Sequence, residues 1–132
     1  MSTDYVIAIE KFAEHHFIKS FKKKYKGAWD ITWKAIEETF KRFDLLFDTS
    51  VAETIVDNEK VKICKTEFRV AGTKESRHGS GNRCIVAIQK NENIIRVLLV
   101  YHKNDLGGGN ETATWKQIVR DNYPEYRNIL SG

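Results

Sequence analysis

Residues 60–105 constrain the fold most, because three β-patterned runs follow one another there with only short polar connections between them. Residues 61–72 (VKICKTEFRVAG) alternate, with Cys64, Thr66, Phe68 and Val70 on one face and Lys65, Glu67 and Arg69 on the other. That is the period-two signature of a strand with one buried face and one face left for other work. A polar, glycine-bearing loop (residues 73–82, TKESRHGSGN) leads into residues 83–90, where Cys84, Val86 and Ile88 fall in phase. Asn91-Glu92-Asn93 then reads as a tight hairpin turn into residues 94–103, which are apolar on both faces and so belong inside a sheet.

The flanks are helical. Residues 5–10 (YVIAIE) are rich in β-formers and predict a short opening strand, after which Phe12, Ala13, His16, Phe17, Ser20, Phe21 and Lys24 fall at helical spacing. Gly27 is expected to end this helix in left-handed geometry. Trp29, Trp33, Ile36, Phe40, Phe43 and Phe47 recur at three- and four-residue steps, a second amphipathic helix whose aromatic stripe reads as core rather than as a base-stacking platform. A weakly patterned link follows Asp48-Thr49-Ser50, and Asp57-Asn58-Glu59 reads as a turn. Near the end, Asn110 is a natural N-cap with Glu111 in the first turn, and the helix it opens runs over about residues 110–122, until Tyr123-Pro124 stops it. The expectation is an α+β fold of order β-α-α-β-β-β-α: a small, mainly antiparallel sheet, an N-terminal helical hairpin on one face, and the other face partly open.

A chain of 132 residues is expected to form a single domain over its whole length. Its 41% hydrophobic and 30% charged residues are a globular balance that excludes extended disorder. No apolar run is long enough to cross a bilayer, and Met1-Ser2-Thr3-Asp4 does not open a signal peptide, so a cytoplasmic protein with no membrane partner is expected. Cys64 and Cys84 sit at the centres of strand patterns as small hydrophobes, outside any CxxC pair. Adjacent His15 and His16 point to different sides of a helix, and neither a metal site nor a cofactor is expected. The net charge of +4 and pI of about 9.0, with cations concentrated on the strands, point to a polyanionic partner, RNA ahead of DNA.

Three constellations could meet that partner. Lys19, Lys22, Lys23, Lys24 and Lys26 crowd the first helix; they either contact phosphates without reading sequence or form a solvated face. Across the hairpin, Arg83 falls opposite residues 101–103, so Arg83, His102 and Lys103 are expected to face one substrate. Cleaving RNA through its own 2′-hydroxyl needs a base, donors for the pentacoordinate phosphorus and an acid for the departing 5′-oxygen. An imidazole such as His102 can be base or acid, and the planar fork of Arg83 can hold two phosphate oxygens. Glu67, Lys74 and Lys103 are further candidates for proton transfer. The alternative is that Tyr101 and His102 merely terminate a strand. The third constellation is the loop carrying Lys74, Arg77 and His78 among glycines, which can close over a nucleotide. Lys65, Arg69, Arg77, Lys22 and Lys23 complete the expected RNA-binding set.

Phe68-Arg69-Val70-Ala71, Lys74 and Ser76, Gly81-Asn82-Arg83-Cys84-Ile85-Val86, and the run from Ile95 through Val100-Tyr101-His102-Lys103-Asn104 together resemble the RelE/HigB-type toxins of bacterial type II toxin–antitoxin systems, within the RelE/ParE superfamily. The resemblance covers about residues 60–105 in motif and most of the chain in element order. It implies a metal-independent mRNA endonuclease, or mRNA interferase, that acts in the ribosomal A site, inhibits translation and is held inactive in a complex with a cognate antitoxin. Carried over, Arg83 resembles the phosphate-binding arginine, Lys103 the basic residue of the last strand, Lys74 the loop lysine and Arg69 the basic residue late in the preceding strand. The same superfamily holds ParE-type proteins that poison DNA gyrase without cutting RNA, so a non-cleaving gyrase inhibitor or RNA-binding module is the alternative. The chain departs from the pattern in its length, its aromatic helical hairpin and its tail ETATWKQIVRDNYPEY, a full helix that could lie over the open face.

Overall fold

The alternating residues of the middle of the chain form the centre of a mixed sheet in the computed structural model, which describes residues 5–42, 52–76, 79–106 and 110–130. The strands are β1 (Val6–Ile9), β2 (Ala52–Asp57), β3 (Val61–Phe68), β4 (Asn82–Gln89) and β5 (Ile94–His102), in the spatial order β1-β5-β4-β3-β2. Neighbours from β2 to β5 pair antiparallel, and β1 alone runs parallel to its neighbour β5. The α+β class stands as expected, and β5 lies inside the sheet as its two apolar faces require. The element order needs one correction. The weak pattern after Ser50 implies a link, whereas the structure forms an edge strand there. Ile55 is an extra residue in the ladder, since Thr54 pairs with Cys64 and Val56 with Ile63, and this bulge erases the alternation that would announce β2.

Helices occupy both faces. On one, α1 (Lys11–Ala13), a π-helical segment (Glu14–Ile18) and α2 (Lys19–Tyr25) lead into α3 (Gly27–Lys41). The reversal falls on Lys26, at φ +42°, and Gly27 opens α3 instead of closing α2. Backbone hydrogen bonds on both sides fix it: Lys26 N–H donates to Lys22 O at 2.8 Å, and Trp29 N–H donates to Lys26 O at 3.1 Å. Ile18, Phe21, Trp29, Ile36 and Phe40 pack there on Cys64, Phe68, Cys84, Val86 and Ile88 of the sheet. Both cysteines are free and fully buried, and burial pushes the Cys64 thiol up to about 11 and the Cys84 thiol up to about 12. The aromatic stripe is therefore core over the described residues; Phe43 and Phe47 lie outside them.

On the other face α4 (Glu111–Asn122) and the segment after it cover the sheet. Trp115, Val119, Tyr123, Tyr126 and Leu130 bury Val61, Ile63, Ile85, Leu99 and Tyr101, so the face expected to be partly open is roofed. Asn110 caps α4 as its position predicts, its Oδ1 accepting from Ala113 N–H at 3.0 Å. Tyr123 donates its hydroxyl to Leu98 O at 2.8 Å, and Arg96 bridges Glu10 of the opening segment to Glu125. These contacts hold the tail on the sheet. No helix among the described residues is long and apolar enough to cross a membrane.

Candidate functional site

Strand register decides which polar side chains share a face. Ile88 pairs with Ile95 and Val86 with Val97, but Ile85 pairs with Leu99, which leaves Leu98 as a bulged extra residue on β5. A one-residue insertion reverses the facing of everything after it. Beyond the bulge Arg83 pairs with Tyr101 and Asn82 with His102. The sequence expectation that Arg83 sits across from residues 101–103 is met along the strand and fails across it. Arg83 and Tyr101 share the α4 face, with Leu99 and Ile85, whereas His102 belongs to the helical-hairpin face, in a row with Asn82 and Phe68. Arg83 and His102 do not converge on one substrate from one face.

The row that does form is Glu67, Arg83 and Tyr101, one residue from each of β3, β4 and β5. Arg83 is 4% exposed; its Nη1 donates to Asn82 O at 3.1 Å and stands 4.0 Å from Glu67 Oε2. Two residues earlier on β3, Lys65 points to the same face. Its Nζ lies 3.7 Å from Glu53 Oε2 on β2 and 3.7 Å from Glu111 Oε2 on α4. Tyr101 donates its hydroxyl to that same Glu111 oxygen at 2.7 Å. Burial first, then this hydrogen bond, hold the Tyr101 phenol well above its ordinary value, so it is a standing donor and not a base. Sequence reasoning passes over Tyr101 and Glu111 as site residues, because Tyr101 reads as a strand end and Glu111 as a helix-dipole partner.

The remaining expected residues do not join this row. Lys103 is exposed at the start of a 3₁₀ turn (Lys103–Leu106), and its N–H donates to Gly81 O at 2.8 Å. Lys74 and Arg69 are exposed on the segment after β3. Arg69 and Glu67 line a cavity of about 580 Å³ between α3 and the end of β3, together with Ile31, Ile36 and Phe40. Lys22 and Lys23 are exposed on α2, with Lys22 Nζ 2.9 Å from Glu14 Oε1. Arg77 lies outside the described residues. Among those that are described, no group of three or more His, Cys, Asp or Glu gathers as a metal site would require.

His102 is fixed by its neighbours. Its Nδ1 accepts from Asn104 N–H at 3.1 Å, which leaves Nε2 as the protonated nitrogen of the neutral ring. A Cβ on Gly81 would meet that Nε2 at 2.7 Å, and Gly81 has φ +77°. Gly81→Ala is therefore expected to lower stability by about 2 kcal/mol, from left-handed strain plus the collision with the ring. Urea denaturation checks it, and the same substitution in a His102→Ala background should cost measurably less, because only the backbone strain persists. An equal cost in both backgrounds contradicts the contact.

A three-layered α+β domain with a helical hairpin on one sheet face, a C-terminal helix on the other, and a polar row of Glu67, Arg83 and Tyr101 on the α4 side is what the fold and site define. Among solved structures the chain is similar to one from the archaeal RelE–RelB complex of Pyrococcus horikoshii OT3, at 15% identity and a TM-score of 0.42, over 76% of this chain and 96% of that one. No residue role passes between the two chains at that distance. Neither a protein-family profile nor a curated protein matches the sequence.

Proposed function

We propose that the α4-side face of β3, β4 and β5 is an RNA-cleaving site and that the chain is the toxin of a type II toxin–antitoxin pair, a metal-independent mRNA endonuclease acting on the ribosome. The observation that carries this reading is the Glu67–Arg83–Tyr101 row with Lys65 beside it: a carboxylate, two cations and a locked hydroxyl donor on one sheet face. The motif resemblance over residues 60–105 supports it. In this reading Glu67 takes the proton of the 2′-hydroxyl as that oxygen attacks phosphorus, and Arg83 and Tyr101 hold the two non-bridging oxygens. Lys65 gives a proton to the 5′-oxygen as its bond to phosphorus breaks, so the products are a 2′,3′-cyclic phosphate and a 5′-hydroxyl. The exposed Lys74, Arg69 and Lys103, and Lys22 and Lys23 on the helical-hairpin face, contact the RNA backbone away from the cleaved phosphate. A cognate antitoxin, the ribosome and mRNA are the partners, in the cytoplasm.

The near-complete burial of Arg83 favours a second reading, in which the same domain binds a partner without cutting it, as a gyrase inhibitor or an RNA-binding module. Induced expression in growing bacteria separates the two. New mRNA ends bearing 5′-hydroxyls within minutes support the nuclease; arrested growth with broken DNA and intact mRNA supports the gyrase inhibitor. Unimpaired growth with intact mRNA, at a verified level of folded protein, removes the toxin reading.

A further inference from the structure

Lys65 and Tyr101 present two sheet-borne donors to one point, and the chain fills that point with a carboxylate from a different element. Tyr101 is 1% exposed and the Lys65 side chain 16% exposed, so neither donor can be left without an acceptor at low cost. The acceptor is Glu111 Oε2, 2.7 Å from the Tyr101 hydroxyl and 3.7 Å from Lys65 Nζ. The helix does not need this contact to begin. Asn110 already caps it through Ala113 N–H, and a first-turn carboxylate complements the helix dipole equally well when it faces water. Glu111 instead turns inward. Its charge is that of a phosphodiester, one negative charge shared by two oxygens.

We infer that Glu111 is a built-in occupant of an anion subsite made by Lys65 and Tyr101, and that an RNA phosphodiester takes its place when the first turn of α4 moves off the sheet. The inference rests on the reading of this face as an RNA site. Glu53 makes the exchange feasible: it stands 3.7 Å from Lys65 Nζ on the β2 side and keeps a carboxylate beside that ammonium while Glu111 is displaced. The chain thus carries its own competitor for its substrate, and the domain rests in a closed state.

The test uses the full chain and a short single-stranded RNA methylated at every 2′-oxygen, so that binding is read without cleavage. Glu111→Gln removes the charge. Glu111→Asp keeps the charge at the helix start and shortens its reach by one methylene, which separates the latch from the helix dipole. Both variants are expected to bind this RNA about tenfold more tightly than the parent, since a like charge has left the subsite. Adding Tyr101→Phe to Glu111→Gln should cancel most of the gain. Unchanged or weaker binding by a folded Glu111→Asp overturns the latch, as does a lowered melting temperature without a gain in affinity. Cleavage of unmethylated RNA is followed in parallel. Tighter binding with no cleavage by any variant keeps the latch and removes the nuclease reading, whereas cleavage by the parent with no gain in either variant does the reverse.

Discussion

On the proposed nuclease reading, Arg83→Gln is expected to reduce RNA cleavage by about 10²–10³-fold, the size of effect that follows loss of one preorganised donor to a developing phosphorane. The guanidinium is held in place before substrate arrives, by Asn82 O at 3.1 Å and by Glu67 Oε2 at 4.0 Å, so it supplies charge without reorganising. Gln is the informative replacement because it fills much of the volume and loses only the charge and the fork. Arg83→Ala adds a stability cost of about 3 kcal/mol, since it truncates one partner of a nearly buried ion pair. Arg83→Lys retains charge but cannot offer two parallel donors, and is expected to fall between parent and Gln. Rates are compared per folded molecule, with urea denaturation reporting how much of each variant is native. A folded Arg83→Gln that cleaves at the parent rate ends the case for this row as the catalytic centre.

The failure to pair Arg83 with His102 from sequence has a specific cause. Val97, Leu98, Leu99 and Val100 are all apolar, so the pattern of β5 carries no mark of where one residue has been inserted. Reading straight across the hairpin places His102 on the Arg83 face; the bulge at Leu98 exchanges it for Tyr101. A bulge also hides β2, where the inserted Ile55 breaks the alternation. What was legible has strong local chemistry behind it. The Asn110 cap, the stop at Pro124 and the turn at residues 91–93 each depend on contacts within a few residues, and the alternation of β3 is written in its own residue order. Glu111 shows the limit from the other side. Its helix-start role is local and visible, while its hydrogen bond to Tyr101 joins two elements whose relative placement is set by long-range packing, such as that of Trp115 and Val119 on the sheet.

Trp29→Ala is expected to cost about 3–5 kcal/mol, a large share of the total stability of a domain this size. Trp29 is 2% exposed and its ring meets Phe21 of α2 at 5.1 Å, Trp33 one turn along α3 at 6.1 Å, and Phe68 of β3 edge-on at 6.1 Å. It therefore packs α2, α3 and β3 against one another, and no neighbour can close the space its loss leaves without moving a helix. Trp29→Phe keeps an aromatic ring and should recover more than half of the loss. Ile31→Ala, on the same helix but 63% exposed, should change stability by no more than about 0.5 kcal/mol. Chemical denaturation of the three variants checks the ranking, and RNA binding checks its meaning. If the aromatic stripe were a stacking platform for bases, Trp29→Ala would lose affinity while keeping its unfolding midpoint. A core residue does the opposite: the midpoint falls steeply, and the fraction that remains folded binds RNA as the parent does.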